Sequence, residues 1–416
     1  MGESLSIAVC GCGPAGLAAA AFLADAGHKP FLIERFTVPH PVGAGLLLQP
    51  AGIEALRRIG GAEAALALGQ KITRFHGATA PDGRKIFDLS YGSLGGDLHA
   101  LAIHRAALFS ILWTGIARRG IAVETGCEIR DLELGSDGRL APVAQQRRFP
   151  AVDLVVDATG ANSPLRRFVP AAEPCPYGYG AVWTTLRNRG FAPETLTQRY
   201  VDARHMIGVL PVGRVPDQDD DLVTFFWSLK PADYPAFRAR GLAAWQEEVT
   251  ALWPETAPLI AQVTDIAQLT PARYSQLTLA MPFGGRLVFV GDAAHSTSPQ
   301  LGAGVTMALL DVAALTDALA RHREIAAALL AYAALRRRHI RFYQGMSRLL
   351  TPMFQSDGKL LARLRDGMAP LAGRLPWVDR RMMELFAGLA TGPFAAARPR
   401  DLAFPLQRAS GASSES

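Results

Sequence analysis

Cysteine is scarce in this chain of 416 residues, and the four cysteines form neither a Cys-x-x-Cys pair nor a disulfide framework. Long apolar runs are also missing, since none reaches the roughly 18 residues of a membrane-spanning helix. The first apolar run is short and ends at a glycine motif, unlike a signal peptide. We therefore expect no disulfide-stapled scaffold and no membrane span, and we predict a reducing, cytoplasmic setting.

An excess of charge is absent as well, with 43 Lys and Arg against 37 Asp and Glu and a net charge of +6. The densest basic cluster, residues 336–341, lacks interleaved aromatic residues and predicts a solvated helix face rather than a nucleic-acid site. No Gly-x-Ser-x-Gly elbow and no metal-ligand spacing occurs. We expect neither a nucleic-acid partner nor a bound metal.

Glycine is abundant, with 40 residues, and the first of three glycine motifs follows a short apolar strand. This motif reads Gly11-Cys12-Gly13-Pro14-Ala15-Gly16. Its glycines permit a tight turn against a pyrophosphate, and the helix predicted over residues 15–26 presents its N-terminal N–H groups to the phosphates. Glu34 ends the next strand, where a carboxylate accepts hydrogen bonds from a ribose. The unit predicts a dinucleotide site without separating FAD from NAD.

The third motif begins with a buried strand, residues 286–292, that delivers Asp292 at its carboxyl end. Ligands bind at that end of the strands in open α/β sheets. The chain then runs through Pro299-Gln300-Leu301-Gly302-Ala303-Gly304 into a predicted helix. An NAD-only protein has no need of this second loop, so the motif favours FAD. His295 is interpreted as hydrogen-bonded within the loop rather than catalytic.

In this order the motifs resemble the single-component FAD-dependent aromatic hydroxylases, the family of p-hydroxybenzoate, salicylate and ubiquinone-pathway hydroxylases, over about residues 5–345. The resemblance implies that Asp292 binds the ribityl chain, that Gly45 lies in a loop under the flavin and that Arg105 contacts the phosphates or ribityl. It implies non-covalent FAD. The cofactor-binding residues predicted are Gly11, Gly13, Pro14, Ala15, Gly16, Glu34, Arg35, Gly45, Arg105, Gly160, Asp292, Gly302, Ala303 and Gly304.

The second motif, residues 157–166, departs from the family pattern because Thr159 stands where the family has Asp, with Asp157 two residues earlier. This form resembles a variant found in halogenases and prenyl reductases, and it leaves the choice of NADH or NADPH as electron donor open. Arg166 either pairs with a phosphate or braces the loop. Thr306 replaces a family Asn, so we expect a side-chain contact to the flavin ring to be lost.

The predicted fold is α/β, with a Rossmann-like FAD-binding domain, an inserted mostly antiparallel β-sheet substrate domain and C-terminal helices. Inserted strands are predicted over residues 181–189, 199–212 and 222–229, and helix breaks near Thr351-Pro352 and Leu375-Pro376. The domain boundaries predicted are 1–72, 99–172 and 276–320 for FAD binding, 73–98 and 173–275 for the substrate domain, 321–394 for the helical region and 395–416 for a disordered tail.

The function implied by the resemblance is an FAD-dependent monooxygenase that hydroxylates an aromatic or polycyclic small molecule through a flavin C4a-hydroperoxide, using O₂ and NADH or NADPH. The chemistry is borne by the flavin, so no side chain is assigned as catalytic. A halogenase would need Trp-x-Trp-x-x-Pro, which neither Trp183 nor Trp227 forms. A reductase or dehydrogenase of the same superfamily and a non-enzymatic, redox-responsive FAD-bound protein remain as alternatives.

Candidates for the substrate pocket come from the inserted strands, whose side chains alternate between two faces. In residues 223–228, Phe225 and Trp227 share one face and Phe226 lies on the other. The pocket residues predicted are His205, Met206, Phe225, Trp227, Trp183 and Pro299.

Residues 344–390 include apolar helical stretches, among them one around Leu349, Leu350, Met353 and Phe354; these helices are expected to pack on the cofactor domain, so membrane association is not favoured. We expect a monomer or a homodimer.

Overall fold

The computed structural model describes residues 3–41, 43–145, 147–171, 173–372 and 375–403. Its strands are, in chain order, β1 (Ser6–Cys10), β2 (Lys29–Ile33), β3 (Gly45–Leu48), β4 (Gln70–Ile72), β5 (Arg74–Thr79), β6 (Lys85–Ser90), β7 (Ala100–His104), β8 (Val123–Glu124), β9 (Ile129–Leu134), β10 (Leu140–Ala144), β11 (Arg147–Arg148), β12 (Leu154–Asp157), β13 (Cys175–Pro176), β14 (Gly180–Arg187), β15 (Thr195–Val201), β16 (His205–Gly213), β17 (Leu222–Leu229), β18 (Thr270–Ala272), β19 (Ser275–Gln276), β20 (Phe283–Gly284), β21 (Leu287–Phe289), β22 (Ala390–Gly392) and β23 (Ala395–Ala396).

The α-helices are α1 (Pro14–Asp25), α2 (Pro50–Arg58), α3 (Ala62–Leu68), α4 (Arg105–Arg118), α5 (Tyr234–Leu252), α6 (Ala257–Ile260), α7 (Asp292–His295), α8 (Gly304–Arg321), α9 (Ile325–Phe354), α10 (Lys359–Ala372), α11 (Pro376–Phe386) and α12 (Pro399–Ala403).

A six-stranded sheet carries the glycine motifs, with strand order β20-β21-β12-β1-β2-β8. Its central strands are parallel, and Val9 pairs with Val156 on one side and Leu32 on the other. These strands are apolar throughout because the sheet is covered on both faces. One face packs against α1 and α8, where the small residues Ala18 and Ala314 are fully buried. The carboxyl ends of β1, β12 and β21 therefore lie together, and they lead into the three motifs.

A seven-stranded sheet with order β18-β14-β17-β16-β15-β5-β6 forms the inserted part. Its strands pair antiparallel except for β15 and β5, which are parallel. The single strand predicted over 199–212 is two strands, because the chain turns between β15 and β16 at Asp202, whose φ is 49°. Both faces are covered, so β17 is buried from Leu222 to Ser228. The predicted fold class is confirmed, while the domain boundaries stay predictions.

The C-terminal helices differ from the prediction in two places. Helix α9 continues through Pro352 and ends at Phe354, and the Thr351 hydroxyl donates to the Ser347 carbonyl at 2.6 Å in this last turn. Residues 395–403, expected to belong to a disordered tail, form β23 and α12 instead, and Ala403 is fully buried in the core of the six-stranded sheet. The remainder of that expectation, residues 404–416, lies outside the described residues.

Among the described residues no helix combines the length and the apolar character that crossing a membrane requires.

Candidate cofactor and substrate site

A continuous cavity of about 870 Å³ is lined by both large sheets and by all three glycine motifs. Most of the predicted cofactor-binding residues line it, namely Gly11, Gly13, Pro14, Ala15, Glu34, Arg35, Gly45, Arg105, Gly160, Asp292, Gly302, Ala303 and Gly304. Their individual contacts with a cofactor stay predictions.

Gly16 does not line the cavity, and its role is to let the residues of the first motif pack closely. A Cβ atom at Gly16 would lie 1.8 Å from the carbonyl oxygen of Gly11, so only glycine lets α1 approach the turn this closely. Gly11 has a φ of +102°, and a Cβ there would meet the Ala158 carbonyl oxygen at 2.7 Å. The two glycines keep backbone, rather than side chains, at the entrance to α1, as a pyrophosphate cradle requires.

Glu34 is 7% exposed and its carboxylate ties the first motif to the end of β2. One oxygen accepts from the Cys12 N–H at 2.6 Å and the other from the Phe36 N–H at 3.1 Å. Burial and the neighbouring Glu34 charge raise the pKa of the Cys12 thiol to about 12. Cys12 therefore stays protonated, which argues against a thiolate nucleophile at this position.

Arg105 and Asp292 bring opposite charges to the cavity wall. Arg105 is the first residue of α4, where the His104 ring accepts from the Ala106 N–H at 3.2 Å. Burial lowers the pKa of Arg105, and the charge of Asp292 acts in the opposite direction. Desolvation by the surrounding protein raises the pKa of Asp292, although its side chain is exposed to the open cavity.

Neither side chain hydrogen-bonds to another described residue, and the first turns of α1 and α8 carry no side-chain cap. A cation and a carboxylate that both line the cavity, together with two uncapped helix N-termini, fit a ligand with phosphates and a polyol, as FAD has.

The second motif is held by its own hydrogen bonds. The Asp157 carboxylate accepts from the Thr159 N–H at 2.9 Å, from the Thr159 hydroxyl at 2.6 Å and from the Ser163 hydroxyl. Arg166 donates to the carbonyls of Gly160, Ala161 and Ala293 and does not line the cavity. The sequence left two roles open for Arg166, pairing with a phosphate or bracing the loop. The observed contacts brace the loop.

A buried ionic network lies beneath the Asp292 loop. Asp311 of α8 is fully buried and accepts from the Gly291 N–H at 2.9 Å, from Arg336 Nε at 2.7 Å and pairs with His295. His295 thus bonds to a neighbouring helix, not within its own loop as predicted. Burial lowers the pKa of His295, but Asp311 outweighs it and the pKa is raised, while that of Asp311 is lowered.

The same network corrects the prediction of a solvated basic face at residues 336–341. Arg336 and His339 are 4% exposed and lie on the inner face of α9, whereas Arg337 and Arg338 are exposed. Burial and the Arg336 charge lower the pKa of His339 to about 3, so this ring is neutral. Because Arg336 and His339 are three residues apart, they lie on the same face of α9. A count of basic residues in the segment does not reveal that this face is buried.

Thr306 does not point into the cavity. Its hydroxyl accepts from the Gln49 N–H at 2.9 Å, at the first turn of α2, and a Cβ on Gly52 would lie 2.6 Å from that hydroxyl. The expectation that Thr306 lacks the family contact to a flavin ring stays a prediction, and its observed contact joins α8 to α2.

A polar seam joins the loop before α8 to the last turns of α9 and to the inserted sheet. It consists of Thr297, Ser298 and Gln300 on the loop, Ser347 and Thr351 on α9, Gln355 just after α9, and Ser228 on β17. Gln355 accepts from Gln300 Nε2 at 2.9 Å and donates to the Ser228 hydroxyl at 2.9 Å. Gln355 is 5% exposed, and its amide thereby links the loop and the sheet on two sides of the cavity.

The predicted pocket residues divide between the two faces of the inserted sheet. Trp183, Met206 and Pro299 line the cavity, whereas His205, Phe225 and Trp227 do not. The latter three lie on the outer face, where Phe225 packs against Trp245 of α5 with ring centroids 5.9 Å apart and His205 contacts Trp227 at 5.0 Å. The placement of these three residues in the pocket is therefore corrected, since adjacent strand residues face opposite ways.

Phe226, on the inner face of β17, lines the cavity in their place and contacts Trp183 with ring centroids 5.3 Å apart. The other apolar lining residues that the sequence did not single out are Leu47, Phe75, Phe87, Leu196, Leu210, Leu301 and Phe386.

Tyr274 supplies a polar atom beside this apolar wall. The Trp183 indole N–H donates to the Tyr274 hydroxyl at 3.1 Å, and both residues line the cavity. Burial raises the pKa of Tyr274, so the hydroxyl is protonated and can donate to a ligand. Tyr274 lies outside every motif, and only the folded sheet brings it to Trp183.

The chain matches the FAD-binding domain family over residues 4–343. It is 30% identical over 329 residues to 3-amino-4-hydroxybenzoate 2-monooxygenase of Streptomyces cremeus, covering 76% of this chain and 79% of that protein. It is 28% identical over 345 residues to aurachin C monooxygenase/isomerase of Stigmatella aurantiaca, covering 81% and 86%.

Among solved structures, Klebsiella pneumoniae HpxO complexed with FAD and uric acid superposes with a TM-score of 0.78 at 20% identity, covering 94% of this chain and 98% of that one. The fold predicted from the motifs is thus shared, and the prediction of an FAD-dependent monooxygenase is confirmed. The chain belongs to the FAD-binding domain family, among its FAD-dependent monooxygenases.

Proposed function

We propose that this enzyme hydroxylates an aromatic or polycyclic small molecule, with NADH or NADPH as electron donor. The observation that carries the proposal is the single cavity, which joins the glycine cradle at one part of its wall to an aromatic chamber at another. Relatives named as monooxygenases of 3-amino-4-hydroxybenzoate and of aurachin C support the aromatic substrate class.

The proposed cofactor-binding roles follow the geometry of the cavity. Gly11, Gly13 and the uncapped start of α1 receive the pyrophosphate, and Glu34 lies where its carboxylate would accept hydrogen bonds from the ribose hydroxyls. Asp292 is assigned to the ribityl hydroxyls and Arg105 to the phosphates or ribityl. The uncapped N-terminus of α8 follows the cavity-lining Gly302–Gly304 and would stabilise negative charge on a flavin ring bound there.

When bound, FAD takes electrons from the nicotinamide donor and activates O₂, so that one oxygen atom reaches the substrate. The chain itself contributes orientation and the exclusion of water. Trp183, Met206 and Phe226 hold the flat apolar body of the substrate, and Pro299 closes the side next to the α8 loop. The protonated Tyr274 hydroxyl fixes the in-plane orientation by donating to a substrate oxygen or nitrogen.

The test is to load the purified protein with FAD and screen candidate aromatics for stimulated NADH or NADPH oxidation, with O₂ consumption and product mass measured together. We expect a yellow protein with one FAD per chain and a product heavier by one oxygen atom. Oxidation of substrate without oxygen incorporation would identify a dehydrogenase or reductase instead.

Colourless protein that cannot be reconstituted with FAD would overturn the proposed cofactor site. A protein that keeps FAD but shows no substrate-dependent turnover with any aromatic would favour the non-enzymatic alternative.

A further inference from the structure

Helix α10 exposes a strip of large apolar side chains. Leu360 is 70% exposed, Leu364 44% and Met368 64%, and Leu361 beside them is 38% exposed. Residues four apart lie on one face of a helix, so these side chains form a continuous stripe. The next helix begins with the same character, since Leu375 and Trp377 are 47% and 64% exposed. Nothing in the described part of the chain covers this surface.

The opposite face of α10 explains how the helix is anchored. Ala362 is fully buried, and Arg365 donates to the carbonyls of Met353 and Asp202 at 2.8 Å each. Ala369 packs against a cluster that includes Met206 and Phe226, two residues of the cavity wall. Helix α10 is therefore fixed one layer away from the cavity, with its apolar stripe turned outward.

The charged residues exposed on this helix are of one sign. Lys359 and Arg363 are exposed, flank the apolar stripe and form no ion pair with a described residue. The acidic residue of α10, Asp366, is turned inward and pairs with Arg365. An outward surface of leucines, a tryptophan and basic residues matches the apolar and headgroup layers of an anionic lipid surface.

We propose that α10 and the start of α11 dock this enzyme on an anionic lipid surface, with Leu360, Leu364, Met368 and Trp377 entering the interface. A second copy of the chain fits this surface less well than a lipid surface does. The stripe from Leu360 to Met368 is about 12 Å long, and one such stripe is a small part of the roughly 800 Å² per partner of a stable interface. The proposal departs from the sequence prediction, which considered the helical stretches of residues 344–390 and did not favour membrane association.

The experiment is flotation of the FAD-loaded full chain with vesicles of phosphatidylcholine containing about a third phosphatidylglycerol. We expect the protein to float with these vesicles and to remain behind with pure phosphatidylcholine. The double variant L360S/L364S should partition at least about tenfold less, because it withdraws two leucyl side chains from the interface. Arg363→Glu should weaken binding to the anionic vesicles, and added salt should do the same.

The matched control is Leu134→Ser, which removes a leucine that is 73% exposed on β9, on the six-stranded-sheet side of the protein. It should float like the wild type. A second readout is a blue shift of tryptophan emission on adding vesicles, which should be smaller in Trp377→Phe. Unchanged FAD content and thermal unfolding confirm that each variant is folded.

Equal flotation of L360S/L364S and wild type would overturn the proposal, and so would equal binding to neutral and anionic vesicles. A wild-type dimer that L360S/L364S converts to a monomer, without vesicle binding by either, would assign the surface to a second copy. Flotation requires no turnover, so its failure leaves the proposed hydroxylase function untouched, and the failure of that function leaves the docking proposal intact.

Discussion

Phe225 and Phe226 are neighbours on β17 whose rings lie on opposite faces of the inserted sheet, which makes them a matched pair for substitution. Phe225 is fully buried under α5. Phe226 is 6% exposed and its ring lies between Trp183 and Gly208, beside the cavity. We expect Phe225→Ala to lower the free energy of unfolding with little change in the substrate KM. We expect Phe226→Ala to lower kcat/KM, with a smaller loss of stability than Phe225→Ala.

The magnitudes follow from where each ring lies. Removing Phe225 leaves a void between the sheet and α5, and such phenylalanine-to-alanine changes cost about 3–5 kcal/mol. Removing Phe226 enlarges an existing cavity, so only the transfer contribution of about 1.5–3 kcal/mol applies, as an upper limit. The lost ring contact with a flat substrate, worth about 0.5–1.5 kcal/mol, predicts a fall in kcat/KM of about two- to tenfold.

The assay combines denaturant unfolding of the FAD-loaded variants with two rates, NAD(P)H oxidation and product formation. The ratio of product to oxidised donor should fall in Phe226→Ala, because a loosely held substrate lets oxidation proceed without hydroxylation. It should remain at the wild-type value in folded Phe225→Ala. The placement of the pocket on the inner face would be refuted if Phe225→Ala changed KM and this ratio while Phe226→Ala changed neither.

Three further outcomes are expected. Asp311→Asn should cost about 3–5 kcal/mol by leaving Arg336 buried without its partner. The lowered pKa of Asp311 stabilises the fold above about pH 4, and the raised pKa of His295 stabilises it below about pH 6.5. The variant should therefore lose most unfolding free energy, relative to wild type, between these two pH values. A loss of stability that does not vary between pH 4 and pH 8 would contradict this. Gln355→Leu should lower the ratio of product to oxidised NAD(P)H without loss of FAD, because it removes the link between the α8 loop and the inserted sheet. An unchanged ratio would show that this link does not position the substrate. Asp292→Ala should weaken FAD retention in a folded protein, measured by equilibrium dialysis, whereas Asp97→Ala, which breaks the exposed pair with Lys71, should not.

The glycine motifs were predictable because their information is local. Gly11, Gly16 and Glu34 belong to one strand–helix–strand unit, and each residue type is required by a backbone approach or a carboxylate at a defined place in that unit. The strand before Asp292 was likewise visible as a short apolar run. Local geometry and residue type point to the same structure at these positions, so the cofactor end of the cavity follows from the sequence.

The substrate face was not predictable for a physical reason. β17 is buried on both sides, and both faces carry large apolar side chains. Thr224 and Ser228 share the inner face with Phe226, but they bond to Gly45 and Gln355, so their polarity alone does not mark the side that meets a ligand. Phe225 and Phe226 are chemically identical, and which of them meets the cavity depends on where α5 packs. The aromatic content correctly pointed to the strand, while the choice of face required the tertiary structure.

Side chains that act across long chain separations were missed for a related reason. Asp311 lies between Arg336 and His295 in three dimensions, but the three residues come from three different helices, α8, α9 and α7. Helical periodicity marks Asp311 as a polar residue among apolar neighbours, which was the available signal. It does not reveal the partner, because a buried carboxylate can be satisfied by any cation that the fold brings to it.

Helix α9 connects these long-range features along a single rigid element. Arg336 near its middle holds the Asp311 network under the Asp292 loop, and Gln355 just past its end bonds to both the α8 loop and Ser228 of the inserted sheet. A displacement of α9 would therefore move the wall assigned to the cofactor and the wall assigned to the substrate together. Monooxygenation requires the two ligands at a fixed separation, since a reacting atom misplaced by about 1 Å can cost about a hundredfold in rate. The buried polar contacts of α9 are thus positioned to preserve that separation, although none of them needs to touch either ligand.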